Sequence, residues 1–154
     1  MCSSDLTAAT VSSIAYGTND GNLALGEAIT LVVTFSEPVN VTGTPSIALN
    51  TGGSATYTSG TGTNTLTFTY TPAAGQTTTD LATAITNALT GTITDLAGNA
   101  VVGTGFNNVN PAGIVAVDTT AATVSSIAYG TNDGNLALGE AITLVVTFSE
   151  PVNV

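Results

Sequence analysis

Residues 65–71 read T-L-T-F-T-Y-T, so that three large apolar side chains alternate with four threonines. Successive side chains on a strand point to opposite faces, so this alternation predicts a strand with one buried face and one polar face. Leu66, Phe68 and Tyr70 would then face the core. Residues 29–35 (I-T-L-V-V-T-F) show the same pattern and predict a second strand of this kind.

Weaker alternation predicts further short strands, separated by clusters of Gly, Asn, Asp and Ser that are typical of turns. These strands are residues 11–16, 46–50, 55–58, 90–95, 100–103 and 114–117. Residues 80–89 are ambiguous, because Leu81, Ile85 and Leu89 are four apart and Asp80 could cap a helical turn. A short helix fits this segment, and so does a strand followed by an irregular passage. Short strands at such spacing, without long helices, indicate an all-β, immunoglobulin-like antiparallel β-sandwich.

The chain repeats itself, because residues 7–41 recur without one change at residues 120–154. A unit of 113 residues is therefore followed by the start of its own copy. This period is longer than that of solenoid repeats and suits a self-sufficient domain. We expect residues 7–118 to form one complete sandwich, and residues 119–154 to be the truncated start of the next repeat with its first two strands.

The first six residues, M-C-S-S-D-L, do not fit the repeat, and C-S-S-D-L is also what a common sequencing-library adapter encodes. We expect residues 1–6 to be an artefact of sequencing, and Cys2, the only cysteine, to have no chemical role. The repeat then has no disulfide, and a single core can stabilise a domain of about this size.

The composition restricts the chemistry of the chain. It has no Lys, Arg or His against ten Asp and Glu, which gives a formal net charge of −10. Cations are the natural partners of such a chain, whereas nucleic acids and anionic membranes would be repelled. Histidine-based triads and zinc hydrolysis are excluded, so we expect no catalytic residues and no enzyme. No stretch approaches the roughly 18 consecutive apolar residues of a membrane helix, so we expect no membrane insertion.

Several motifs follow one another in the order found in a known family. They are F-S-E-P-V at 35–39, T-G-T-P at 42–45, A-T-Y-T-S-G at 55–60, N-T-L-T-F-T-Y at 64–70, D-L-A-G-N at 95–99 and V-D-T-T-A at 117–121. The unit resembles the bacterial Ig-like repeats of large surface and secreted proteins, among them the swimming-motility or flagellar-system-associated repeats. Ala122 departs from the family, which has proline in its linker. The resemblance implies a non-enzymatic extracellular or cell-surface module that serves in extension or adhesion.

The junction between the two copies holds the most informative acidic residues. In an Ig-like sandwich the last strand ends at the pole opposite to the start of the first, so successive domains would meet end to end. Asp20, Asp118 and Glu150 would then converge. Calcium prefers six to eight hard oxygen ligands, and this boundary offers them, so we expect a Ca²⁺ site there. The alternative is that Asp118 bonds the amides of a turn and Glu150 is solvated.

Two functions remain open at this point. The leading interpretation is a spacer whose partners are the neighbouring repeats of the same chain. The alternative is a carbohydrate- or cell-binding module, because four tyrosines and many Asn and Thr groups could line a shallow site for a glycan or cell-surface ligand. Residues 95–99 resemble a ligand-binding loop, but they fit a turn that reverses the direction of the strand equally well. Because residues 120–154 duplicate the first two strands, we also expect two chains to form a strand-swapped dimer.

Overall fold

The computed structural model of the chain describes residues 7–19, 21–131 and 134–152. The chain forms two compact units, Met1–Thr119 and Thr120–Val154. The strands of the first unit are β1 (Val11–Tyr16), β2 (Asn22–Leu23), β3 (Ile29–Ala48), β4 (Ser54–Ser59), β5 (Thr63–Tyr70), β6 (Leu89–Asp95) and β7 (Ala116–Val117). The second unit contains β8 (Val124–Tyr129) and β9 (Leu144–Phe148). A 3-10 turn spans Gly103–Phe106, and no helix in the described ranges is long and apolar enough to span a membrane.

Residues 65–70 of the alternating threonine segment form the last part of β5, and its predicted buried face is confirmed. Leu66 and Phe68 are 0% exposed and Tyr70 is 1% exposed, whereas the threonines between them are half-buried. β5 has hydrogen-bonded neighbours on both edges, β3 on one and β4 on the other. The ring of Tyr57 on β4 meets that of Phe68 edge-on, with 5.9 Å between ring centroids. The strand therefore lies in the middle of the sheet, and its apolar face forms part of the core.

The longest strand, β3, runs for 20 residues and takes part in both layers of the fold. Residues 29–35 pair with β1 and β5, and residues 39–48 pair with β6 and β4. A straight strand of this length would span roughly 65 Å, so β3 must bend to fit a compact domain. Its register with β5 breaks between Thr34 and Val39. Pro38 lies in this break, where its missing N–H costs no ladder hydrogen bond.

Because β3 crosses from one layer to the other, it joins them into an all-β sandwich. One layer contains β1, the first half of β3 and β5, and the other contains the second half of β3 and β6, while β4 pairs both with β5 and with the end of β3. All pairings among these strands are antiparallel. The inward side chains form one hydrophobic cluster, whose largest fully buried members are Tyr70, Phe35, Phe68, Phe106, Ile29, Leu31, Ile47 and Leu66. The immunoglobulin-like topology within this class stays a prediction.

Two of the predicted strands differ in the structure. Residues 46–50 are not a separate strand, because β3 continues through residues 42–45 and ends at Ala48. The Gly and Pro residues there bend the strand without reversing it. Residues 100–103 are not a strand either, since only Ala100 forms an isolated bridge and the chain then enters the 3-10 turn.

The ambiguous segment before β6 is irregular, and we call residues 80–88 the strap. Leu81 is 0% exposed and Ile85 is 75% exposed, so the two do not share a buried helical face. The helical alternative is therefore wrong. The strand alternative reduces to a single bridge between Thr83 and Leu49, followed by the expected irregular passage.

The second unit reproduces the first hairpin in an exposed form. Ile127 pairs with Val146 as Ile14 pairs with Val33, and the register irregularity at the start of the hairpin also recurs. The burial differs, because Val146 is 41% exposed and Val33 is 0% exposed. Identical sequence therefore sets the same local pairing in both copies, whereas burial depends on the strands that follow in the first unit.

The second bend of β3 lies against β6 at a glycine. A Cβ added to Gly91 would lie 2.8 Å from the Cα of Pro45, and Gly91 has a φ of +97°. Gly43 in the same bend has a φ of +73°, but nothing lies within 4 Å of its Cβ position. Replacing Gly43 therefore introduces backbone strain alone, whereas replacing Gly91 introduces backbone strain and a steric clash with Pro45.

We predict that Gly91→Ala destabilises the first unit more than Gly43→Ala does. Both changes strain a left-handed backbone, which costs on the order of 1–3 kcal/mol. Gly91→Ala must also displace the backbone of β3, which adds about 1–3 kcal/mol of overpacking. Urea unfolding of both variants measures the difference. Equal losses of unfolding free energy would contradict the close approach of β6 to β3.

Candidate functional site

The chain leaves the first unit through β7, which places Asp118 beside the first loop. β7 pairs in parallel with β2, so that Val117 lies opposite Leu23. The N–H of Asp118 then donates to the carbonyl of Leu23 at 3.0 Å. We call this end of the unit the C-terminal pole, and define it by residues 17–27, 72–78 and 117–119. The expected proximity of the linker to the first loop is therefore seen.

Two polar side chains of the first loop bond to the loop's own backbone. Asn19 donates to the carbonyl of Gly17 at 2.9 Å and accepts from the N–H of Gly21 at 2.8 Å. The carboxylate of Glu27 accepts from the N–H of Ala24 at 3.0 Å. These oxygens satisfy turn amides, which is a structural role.

The three residues of the predicted calcium site fall in three different places. Asp20 lies outside the described residues, Asp118 is the last residue but one of the first unit, and Glu150 belongs to the second unit. Across the described ranges, no group of three or more His, Cys, Asp or Glu side chains could hold a metal ion. The Ca²⁺ site at the boundary stays a prediction.

The linker itself is fastened to the C-terminal pole by hydrogen bonds. Val117 and Thr78 exchange two backbone hydrogen bonds of 2.8 and 2.9 Å. The hydroxyl of Thr119 accepts from the N–H of Gly75 at 3.0 Å and donates to the carbonyl of Gln76 at 3.2 Å. The last three residues of the first unit are therefore held in place on both sides.

Gln76 connects the hydrogen bonds of Thr119 to the hydrophobic core. The side-chain oxygen of Gln76 accepts from the hydroxyl of Tyr70 and from the N–H of Ala73, each at 3.0 Å. The Tyr70 hydroxyl also meets that of Thr51 at 3.0 Å. Thr119 is thus linked to a buried tyrosine on β5. Sequence patterns do not indicate this network, because its members are up to 44 residues apart and follow no periodic pattern.

No protein-family model, no curated protein and no solved structure matches the chain. The resemblance to bacterial Ig-like repeats therefore rests on the sequence motifs.

The chain enters the first unit at the end opposite to the C-terminal pole. The carbonyl of Thr10 accepts from the N–H of Ser36 at 2.9 Å, just beyond the last residues of the β1–β3 ladder. At the other end, Ile29 lies opposite Tyr70, next to the loops of the C-terminal pole. From Ile29 to Ser36 the strand advances roughly 20 Å. The points of entrance and exit are therefore separated by the length of the sandwich.

The D-L-A-G-N turn after β6 is built around a buried carboxylate. Asp95 is 1% exposed, and its two oxygens accept from the backbone N–H and the side-chain amide of Asn99, at 2.8 and 2.7 Å. Gly98 has a φ of +97°, which suits glycine in a reversal. The strand-reversal interpretation of this motif therefore accounts for the hydrogen bonds that it makes.

A second carboxylate, Asp80, ties the strap to the segment that leads to β7. Its oxygens accept from the side-chain amide of Asn110 at 2.8 Å and from the N–H of Val115 at 3.3 Å. Nearby, the hydroxyl of Tyr16 donates to the carbonyl of Leu81. Burial, and then the charge of Asp80, raise the pKa of Tyr16 to about 12. Both groups therefore hold the strap against the sandwich.

The hydrogen bonds in the D-L-A-G-N turn change the acidity of Asp95. Burial alone would raise the pKa of its carboxyl. Hydrogen bonds from the Asn99 side chain, and from the N–H groups of Asn99, Gly98 and Ala97, outweigh burial and lower the pKa below its usual value of 3.8. The ionised form of Asp95 is therefore favoured in the folded state.

We predict that Asp95 contributes stability at neutral pH that is lost in acid. Below pH 3.8 the unfolded chain binds a proton that the folded chain does not, so stability falls as pH drops towards the folded-state pKa. Asp95→Asn should be less stable at pH 7 and should lose less stability on acidification. Urea unfolding across acidic pH tests this. Glu150→Gln, a carboxylate of the second unit, is the control and should keep the wild-type profile; identical profiles for both variants contradict the assignment.

Proposed function

We propose that this chain is a non-enzymatic extracellular repeat that serves as a spacer in a large bacterial surface or secreted protein. A spacer must pass the chain from one end of a domain to the other and hold the joint in a defined direction. The separation of Thr10 from Thr119, at opposite ends of the first unit, meets the first requirement. The hydrogen bonds of Thr119 to Gly75 and Gln76 support the second.

The repeat of the sequence supports the same proposal. The copy begins at Thr120, directly after the anchored residue Thr119. The hairpin of the copy has the register of the first hairpin. In such a chain each domain begins in sequence where the preceding domain ends, so every added domain lengthens the protein.

Three carboxylates of the first unit also favour a structural role. Glu27, Asp80 and Asp95 each accept hydrogen bonds from backbone or amide N–H groups of their own unit. Within the described residues, no buried side-chain polar atom lacks a hydrogen-bond partner. Polar groups that are satisfied by the protein are not preorganised to bind a substrate or a sugar.

We predict that a tandem protein of two complete repeats is a stiff rod, and that Thr119→Val makes it flexible. The valine keeps the shape of the side chain but removes both hydrogen bonds of the hydroxyl. Small-angle scattering should show one narrow end-to-end distance for the parent and a broader distribution for the variant. Thr71→Val, at an exposed surface position, is the matched control and should scatter like the parent. Equal flexibility of all three proteins would contradict the spacer role.

The same tandem protein tests the calcium prediction separately. A Ca²⁺ ion bound at the boundary with free metal at 100 times Kd would add about 2.7 kcal/mol to stability. Asp118→Asn should then abolish the rise in melting temperature. If the melting temperature does not change between calcium and chelator, the calcium prediction fails, whereas the spacer role is judged by the scattering alone.

A further inference from the structure

Strand β7, through which the chain leaves the first unit, is paired in parallel with β2. The N–H of Ala116 donates to the carbonyl of Gly21 at 2.9 Å, and the N–H of Asp118 donates to the carbonyl of Leu23 at 3.0 Å. β2 follows β1 after a short loop, so its N-terminal end is connected to the entrance of the unit. Two strands that lead to opposite ends of the chain are therefore paired side by side, and both run towards the C-terminal pole.

The second edge of β7 is bonded to residues 78–81. Val117 and Thr78 exchange two backbone hydrogen bonds, and the N–H of Leu81 donates to the carbonyl of Val115 at 2.8 Å. Val115 and Val117 are both buried, so their side chains also anchor the strand in the core. By contrast, β1 pairs only with β3 among the described residues. The chain is therefore held on two edges where it leaves the unit and on one edge where it enters.

The direction of these strands decides how the unit responds to tension on the chain. Thr10 and Thr119 lie at opposite ends of the unit, so tension pulls β7 along its own axis towards the C-terminal pole. Hydrogen bonds in a sheet cross from strand to strand, so a strand that slides along its axis must stretch all of its bonds together. Strands that are peeled apart from one end lose the same bonds one after another. Sliding therefore needs the larger force, because the bonds share the load.

Detachment of β1 from β3 would not release β7. Tension would then pass through residues 17–21 to the N-terminal end of β2. In that state β2 is pulled towards the entrance and β7 towards the exit, so the parallel pair is again loaded along its axis. The bonds of β7 to residues 78–81 stay loaded in the same direction. The exit strand therefore resists tension both before and after β1 is lost.

We propose that residues 21–23, 78–81 and 115–118 form a mechanical clamp, by which the first unit bears tension between its ends without unfolding. This inference deepens the proposed spacer role and rests on it, because a spacer transmits force along its chain. The clamp lies within one unit, whereas stiffness is a property of the joint between units. Scattering tests the joint and force tests the unit, so the failure of either is distinguishable from failure of the other.

Single-molecule force spectroscopy of the full chain tests the clamp through the direction of pulling. In a chain with Cys2→Ser, handles attached at Thr7→Cys and Ala121→Cys stretch the first unit from end to end. Handles attached instead at Leu25→Cys and Ala121→Cys peel β2 and β7 apart at the same pole. All three attachment positions are exposed. We expect end-to-end pulling to need a several-fold larger unfolding force than peeling. Equal forces in the two directions would overturn the proposal.

A matched pair of proline variants tests the named hydrogen bonds. Ala116→Pro removes the N–H that donates to Gly21, and should raise the unfolding rate at constant end-to-end force about fivefold, as expected for the loss of one hydrogen bond. Ala74→Pro is the control, because Ala74 is exposed and precedes Gly75, whose φ is +83°, in a turn that favours proline.

The control should unfold under force like the parent, and urea unfolding shows whether each variant folds. An unchanged rate for Ala116→Pro, or the same increase for both variants, would overturn the proposal. If Ala116→Pro does not fold, the comparison of pulling directions decides, because it leaves the bonds of the clamp intact.

Discussion

The structure depends on covering one face of β3. Leu31 and Phe35 are 1% and 2% exposed in the first unit, whereas the identical residues Leu144 and Phe148 are 61% and 39% exposed in the second. Fully burying a side chain of this kind contributes about 1.5–3 kcal/mol. The hairpin has the same register in both places, so its pairing is local. Its burial is not, because the strands that cover it come from residues 42–118.

Strand β3 also explains how the core is connected to the end of the domain at which the chain leaves it. β3 belongs to both layers, so the strands on either side of it are fixed relative to each other. Tyr70 on the neighbouring strand β5 bonds Gln76, and Gln76 accepts a hydrogen bond from Thr119. A change in the core can therefore reach the linker through few contacts. The position of Thr119 and the stability of the sandwich therefore depend on the same hydrogen bonds, as the proposed spacer role would require.

Much of the core, but little of the site, could be predicted from the sequence. Alternation identified β5 and the first half of β3, because one face of each is buried and the other is not. It failed for residues 36–45, which no predicted strand included and which continue β3 towards distant partners. The strap is held by contacts to distant backbone, which leaves no periodic signal. The proximity of Asp118 to the first loop was expected from the topology. The hydrogen bonds of Thr119 were not, because they depend on side-chain positions that no sequence motif predicts.

Amide hydrogen exchange measured residue by residue tests whether burial of the hairpin depends on residues 42–118, because the chain contains the same hairpin sequence twice. The amides of residues 29–35 should exchange only through global unfolding of the first unit. The amides of residues 142–148, which have the same sequence, should exchange orders of magnitude faster. Equal protection of the two copies would show that the hairpin is stable without residues 42–118. It would contradict the dependence of β3 on the strands that cover it.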